Sequence, residues 1–238
     1  MSTVINTAFI LAAGKGTRMA PLTDTCPKPL VRLNGRPILD YVVDHLKEYH
    51  VQHLVLNAHH FPEQIVSYAA RLKGFLSQDV LTEDVLLETG GGLKNAAQFL
   101  PVDAPFFMIN GDAFWIDFPH RAGALAQLER MFDAHRMDIL LLVIPVSRMS
   151  LTQGVGDYRI SADGRLMRDP DKRGDLMFTG IRIVHPRILG HMKDGVYSFL
   201  QQMDAAENAG RLYGVVYDGD WHHISTPEDV ERVEKSLV

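Results

Sequence analysis

The chain has 238 residues, 46% of them hydrophobic and 22% charged, with a net charge of −5 and one cysteine. Such a length buries a sizeable core without staples, as one large domain or two small ones, and a lone cysteine excludes an intrachain disulfide and fits a reducing cytoplasm. The negative charge without a basic block argues against nucleic acid as a partner, and no leader or membrane-length apolar run is evident, so a soluble cytoplasmic protein is expected.

Residues 7–12 read as a buried strand. Arg36 to His50 predicts a helix, with Ile38, Leu39, Val42 and Leu46 on one stripe and Pro37 at its start. A strand over 53–58, a helix from Pro62 to Lys73 and a short strand over 79–84 follow. Then come a helix from Gly92 to Leu100, a strand over 105–109, a helix from Arg121 to His135 and a strand from Ile139 to Val146. Strands alternating with helices predict an α/β protein, a three-layer α/β/α Rossmann-like arrangement around a mostly parallel sheet. After Ser147 the rhythm changes. Asp163-Gly164 between two short apolar runs signals a hairpin, and a strand over 177–184, a helix over 198–209 and a strand from Leu212 to Tyr217 follow. Thr226 and Pro227 open the last helix as N-cap and first turn.

The chemistry is concentrated where the first strand ends. Gly14-Lys15-Gly16-Thr17-Arg18 is followed by Pro21-Leu22-Thr23 and then Pro27-Lys28-Pro29. The glycines allow a tight turn that presents bare N–H groups to an anion. Arg18 and Lys28 supply positive charge for a polyphosphate. A P-loop would need Gly-Lys-Ser/Thr, but Gly16 follows Lys15. The dinucleotide fingerprint would need a third glycine where Met19 stands and a carboxylate after the second strand, which His53 to Ala58 does not offer. In open parallel sheets ligands bind beyond the carboxyl ends of the strands. That rule gathers the Gly14–Arg18 loop, the stretch from Glu83 to Gly92 and Asn110-Gly111-Asp112. A carboxylate at Asp112 can hold a magnesium ion on nucleotide phosphates, or simply cap a turn. Adjacent His59-His60 and His222-His223 lack the spacing of a zinc site.

The segment G-x-G-T-R-x-x-P-L-T followed by P-K-P resembles the signature of the sugar-phosphate nucleotidyltransferases, with every fixed position present. The resemblance implies one domain over 1–238, with a nucleotide half of about 1–147 and an inserted acceptor half of about 148–238. It implies that a sugar 1-phosphate attacks a nucleoside triphosphate at the α-phosphorus and expels pyrophosphate. By it, Leu11, Ala12, Ala13, Gly14, Gly16 and Thr17 bind nucleotide, Arg18 holds the departing phosphates, and Lys28 reaches the α-phosphate. Asn110 joins the nucleotide set, Asp112 is the metal ligand, and Glu83 and Gly91 face the base. A carboxylate accepts but does not donate, so Glu83 suits the N3–H of uracil or thymine and equally the N1–H of guanine. The acceptor residues implied are Gly156, Asp157, Lys172, Thr179 and Gly180.

One departure concerns the closing W-x-D-[VI]-G-T-P of such families, written here Trp221-His222-His223-Ile224-Ser225-Thr226-Pro227. His223 takes the place of the second metal aspartate, and Asp220 is a stand-in nearby. Magnesium prefers oxygen donors, so Mn²⁺ is the alternative to Mg²⁺. Within the superfamily, L-E-T-G-G-G, N-A-H-H and G-D-Y resemble the N-acetylmuramate α-1-phosphate uridylyltransferases of cell-wall recycling. Mannose-1-phosphate guanylyltransferases and glucose-1-phosphate thymidylyl- or uridylyltransferases share part of the pattern. Readings from other classes are a nucleotide-sugar sensor and a scaffold subunit, and the expected state is a monomer or small homo-oligomer.

Overall fold

A computed structural model describes residues 4–152 and 154–237, so residues 1–3, weighed above for a leader, lie outside the described residues. Strand β1 (Thr7–Leu11) is followed by a small hairpin, β2 (Arg32–Leu33) and β3 (Arg36–Pro37), and by α1 (Ile38–Glu48). The expected helix start at Arg36 gives way to that hairpin because Asn34 and Gly35 both adopt positive φ, the two-residue turn that such a pair favours. Next come β4 (His53–Ala58), α2 (Pro62–Ala69), β5 (Ser77–Thr82) and α3 (Glu88–Ala96). Strands β6 (Phe106–Asn110) and β7 (Phe114–Ile116), α4 (Ala124–Met131) and β8 (Ile139–Pro145) complete the first two-thirds. The remainder holds β9 (Tyr158–Ile160), β10 (Leu166–Arg168), β11 (Leu176–Val184), α5 (Leu200–Asn208), β12 (Leu212–Val216), β13 (Asp220–His222) and α6 (Pro227–Ser236).

The main sheet runs β5-β4-β1-β6-β11-β8-β12, with the β9–β10 hairpin joined to the start of β11. Strands β5, β4, β1 and β6 are parallel. Strand β11 is antiparallel to both β6 and β8, so the sheet is mostly, not wholly, parallel. Side chains alternate across it as strand geometry requires. Ala8, Ile10, Leu54, Leu56, Phe107 and Ile109 face a core shared with α1, α2 and α4. Phe9, Val55, Phe106, Met108 and Val143 face the opposite core, under α3 and α5.

Two features aim the site. Helix α6 seats Val230 and Val233 against Met19, Val31 and Leu33, which braces the loop carrying Lys28. Its start is a capping box: the Thr226 hydroxyl accepts from the Asp229 N–H, and the Asp229 carboxylate accepts from the Ser225 and Thr226 N–H groups. Strand β13 pairs antiparallel with β7, Phe114 opposite His222. That register carries His223 back beside the chain leaving Asp112.

Candidate active site

A cleft of ≈ 330 Å³ opens at the carboxyl ends of β1, β4 and β6. Gly14, Gly16, Arg18, Lys28 and Asp112 all line it, together with Leu11, Ala12, Ala13 and Asn110. The structure therefore brings nine of the twelve expected nucleotide residues to one cleft, leaving out Thr17, Glu83 and Gly91. Thr17 is exposed and does not line the cleft.

Lys28 Nζ lies 2.5 Å from Asp112 Oδ2. The lysine side chain is only 12% exposed against 29% for the aspartate. An ammonium and a carboxylate in contact fix each other's geometry through a charge-assisted hydrogen bond. The β1 exit is tied down by Asn57, 2% exposed, whose Oδ1 accepts the Ala12 N–H at 2.8 Å. Asn57 Nδ2 in turn donates to Glu83 Oε1 at 2.8 Å, and Glu83 Oε2 accepts the Leu87 N–H. His59 and His60 pin the neighbouring loops through the Glu83 and Thr23 carbonyls, which gives N-A-H-H a physical reason.

Glu83 is thus buried, with both oxygens engaged, and it does not line the cleft. The glutamate that does so is Glu88, exposed and held at φ +62°, a left-handed backbone uncommon for a non-glycine residue. Leu86 and Thr89 complete that wall. Gly91 is buried inside α3 rather than free at its start: a Cβ there would run into the Gly195 carbonyl, and one on Gly90 would sit 2.6 Å from the Tyr197 ring. Gly90 and Gly91 let the 195–197 segment pack directly on the helix, and Gly92 leaves room for the Asn57 and Glu83 side chains. Glu83→Ala is expected to cost roughly 1–3 kcal/mol, since it strands the Asn57 amide and the Leu87 N–H in a buried place. Thermal unfolding with and without nucleotide checks this; a changed base preference at unaltered stability would contradict it.

His223 stands within the field of Lys28, Arg18 and Asp112. Burial, then the Lys28 and Arg18 cations, hold its imidazole below the usual histidine range, so it is neutral at pH 7. Its backbone N–H donates to Thr152 Oγ1 at 3.1 Å. Asp220 points elsewhere. It lies 3.9 Å from Arg148 and lines a different pocket with Trp221 and His222.

A second pocket of ≈ 240 Å³ adjoins the cleft, and the two share Thr89 and Asn110. Asp157 and Lys172 line it, paired Oδ1 to Nζ at 2.5 Å, and Asp157 Oδ2 accepts the Phe178 N–H. Gly156 packs against Gly174 and Thr179 turns its hydroxyl into the Leu142 carbonyl, so neither lines the pocket. Gly180 marks a bulge between Phe178 and Arg182 at φ +83°, where a Cβ would come within 2.9 Å of Asn110 Nδ2. The pocket also holds Arg182, 3% exposed, whose guanidinium burial pulls down to about 9, still protonated at neutral pH. It was not anticipated from the sequence, though a single arginine inside Ile181-Arg182-Ile183-Val184 is the signal that could have found it.

Residues 8–211 match the family described as MobA-like NTP transferase domain. The chain is 33% identical over its whole length, and over 99% of the relative's, to an N-acetylmuramate α-1-phosphate uridylyltransferase of Caulobacter vibrioides. It is 30% identical over 93% of its length to a mannose-1-phosphate guanyltransferase of Aspergillus fumigatus, of which it spans 61%. The inositol-1-phosphate CTP transferase from T. maritima superposes with TM-score 0.78 at 17% identity, covering 99% of this chain and 97% of that one. The sheet and its helices are those of the nucleotide-diphospho-sugar transferase fold.

Proposed function

Because the chain belongs to the MobA-like NTP transferase family and is a sugar-1-phosphate nucleotidyltransferase, we propose that it joins UTP to N-acetylmuramic acid α-1-phosphate and releases pyrophosphate. The observation that carries the reading is the convergence of Arg18, Lys28 and Asp112 on one cleft, adjoined at Thr89 and Asn110 by a second, cation-bearing pocket. The full-length likeness to the Caulobacter enzyme supports the choice of substrates.

The acceptor phosphate is itself the nucleophile, so no general base is needed. Catalysis is positioning together with stabilisation of charge on the transferred group. Arg18 binds the β- and γ-phosphates, Lys28 meets the α-phosphate, and the Gly14–Gly16 turn offers backbone N–H groups. Asn110 and Thr89 stand where nucleotide and acceptor meet. Among the described residues no cluster of three or more His, Cys, Asp or Glu forms a cage for a metal. One carboxylate with phosphate oxygens and waters is, however, how magnesium is commonly held. Asp112 fits that donor role, with neutral His223 beside it; Mg²⁺, or Mn²⁺, would supply charge neutralisation on the triphosphate. None of the described helices is long and apolar enough to cross a membrane.

Pyrophosphate release tests the reading, with UTP, dTTP, GTP and CTP set against a panel of sugar 1-phosphates. UTP with N-acetylmuramic acid 1-phosphate should give the highest kcat/KM. Preference for GTP with mannose 1-phosphate would move the chain to the other group of relatives. Tight nucleotide binding without pyrophosphate release from any pair would make it a sensor.

A further inference from the structure

The acceptor pocket carries three cations, and their pairing is unequal. Arg168 is matched by Asp204, Nε to Oδ1 at 2.8 Å, and Lys172 by Asp157. Arg182 makes no ion pair or side-chain hydrogen bond with any described residue, and its Nε is buried without a partner. Its guanidinium lies between the rings of Phe178 and Phe199, 5.1 and 5.0 Å from their centroids. Stacking on two aromatic faces makes a buried guanidinium tolerable but leaves its in-plane donors unused. Buried charges are ordinarily paired, so the pocket holds one positive charge in excess. It also offers a planar fork suited to a carboxylate.

We propose that Arg182 is the specificity-determining residue of the acceptor pocket and that it pairs with a carboxylate carried by the sugar, distinct from the sugar's 1-phosphate. This rests on the reading of the pocket as a sugar 1-phosphate site. The phosphate end must face the cleft, where Asn110 and Lys28 stand. Arg182 sits opposite Met108, two positions further back along β6 than Asn110, and against the α5 side of the pocket. The lactyl acid of N-acetylmuramic acid supplies such a carboxylate. A neutral sugar of the same ring leaves Arg182 desolvated and unmatched, which is a penalty against the wrong substrate.

The test uses the full chain, its preferred triphosphate and two matched acceptor pairs. They are N-acetylmuramic acid 1-phosphate with N-acetylglucosamine 1-phosphate, and glucuronic acid 1-phosphate with glucose 1-phosphate. Wild type should favour the acidic member of at least one pair by roughly 100-fold in kcat/KM. Arg182→Met should abolish that preference by losing roughly 100-fold on the acid while the neutral partner is unchanged or improved. Its melting temperature should not fall, because replacing an unmatched buried cation by an apolar side chain of similar length does not destabilise. Arg182→Lys keeps the charge without the fork and should retain part of the preference, which secures the result should the methionine variant fold poorly. Equal losses on both members of a pair would mean that Arg182 serves the phosphate or the fold, and would overturn the proposal. So would a wild-type preference for the neutral member of both pairs. Preference for glucuronic acid 1-phosphate without use of the muramic acid compound would leave Arg182 in its role and overturn the muramate reading instead.

Discussion

Asp112→Ala is expected to lower kcat by roughly 10³-fold and to abolish most of the dependence of rate on Mg²⁺ concentration. Asp112 is delivered to the cleft by β6, one of the central strands, and on the proposed reading its carboxylate supplies the hard oxygen donor for the metal. His223→Ala should cost roughly tenfold, the scale of a supporting group beside a metal ligand. The imidazole is softer, and its proton-free form competes poorly for Mg²⁺ against carboxylate and phosphate oxygens. With Mn²⁺ the two variants should draw closer together, since imidazole suits that ion better. Initial rates across a titration of each metal measure this. Equal loss of metal dependence from both substitutions would refute the assignment of most metal affinity to Asp112.

The second large effect is expected at Lys28. Lys28→Ala should lower kcat by roughly 10²- to 10³-fold while weakening nucleotide binding less than tenfold. The reason is positional. The ammonium is mostly buried, set between Pro27 and Pro29, and held against Asp112, so its position is fixed in the cleft where the proposed reading puts the α-phosphate. An ammonium in that place costs no reorganisation at the moment of reaction. The double variant Lys28→Ala with Asp112→Ala should lose little more than the worse single one, because groups in contact act as a unit. Turnover is read by pyrophosphate release and binding by the nucleotide-induced shift in melting temperature. Near-normal turnover of the lysine variant would remove it from this role.

Much of this was legible in the chain. The strand over 53–58 ends where the periodicity ends it, and the glycine-rich turn, Lys28 and Asn110 to Asp112 meet as the strand-end rule requires. Periodicity carries no strand direction, so the antiparallel course of β11 was not readable. Nor was the pairing of β7 with β13, three residues each and a hundred positions apart, which is what carries His223 to Asp112. The Asn34-Gly35 hairpin was marked in the sequence but masked by the strong apolar stripe of α1. Glu83 and Glu88 are alike as letters. Only the fold separates them, by engaging one with Asn57 and Leu87 and turning the other to the cleft.

The two pockets touch through Thr89 and Asn110 alone. On the proposed reading the triphosphate groups line the first pocket, and most of the groups that would read the sugar lie on β9 to β11 and α5 around the second. If that division holds, exchanging side chains around the second pocket would change the sugar accepted while the groups around the first keep their phosphate chemistry.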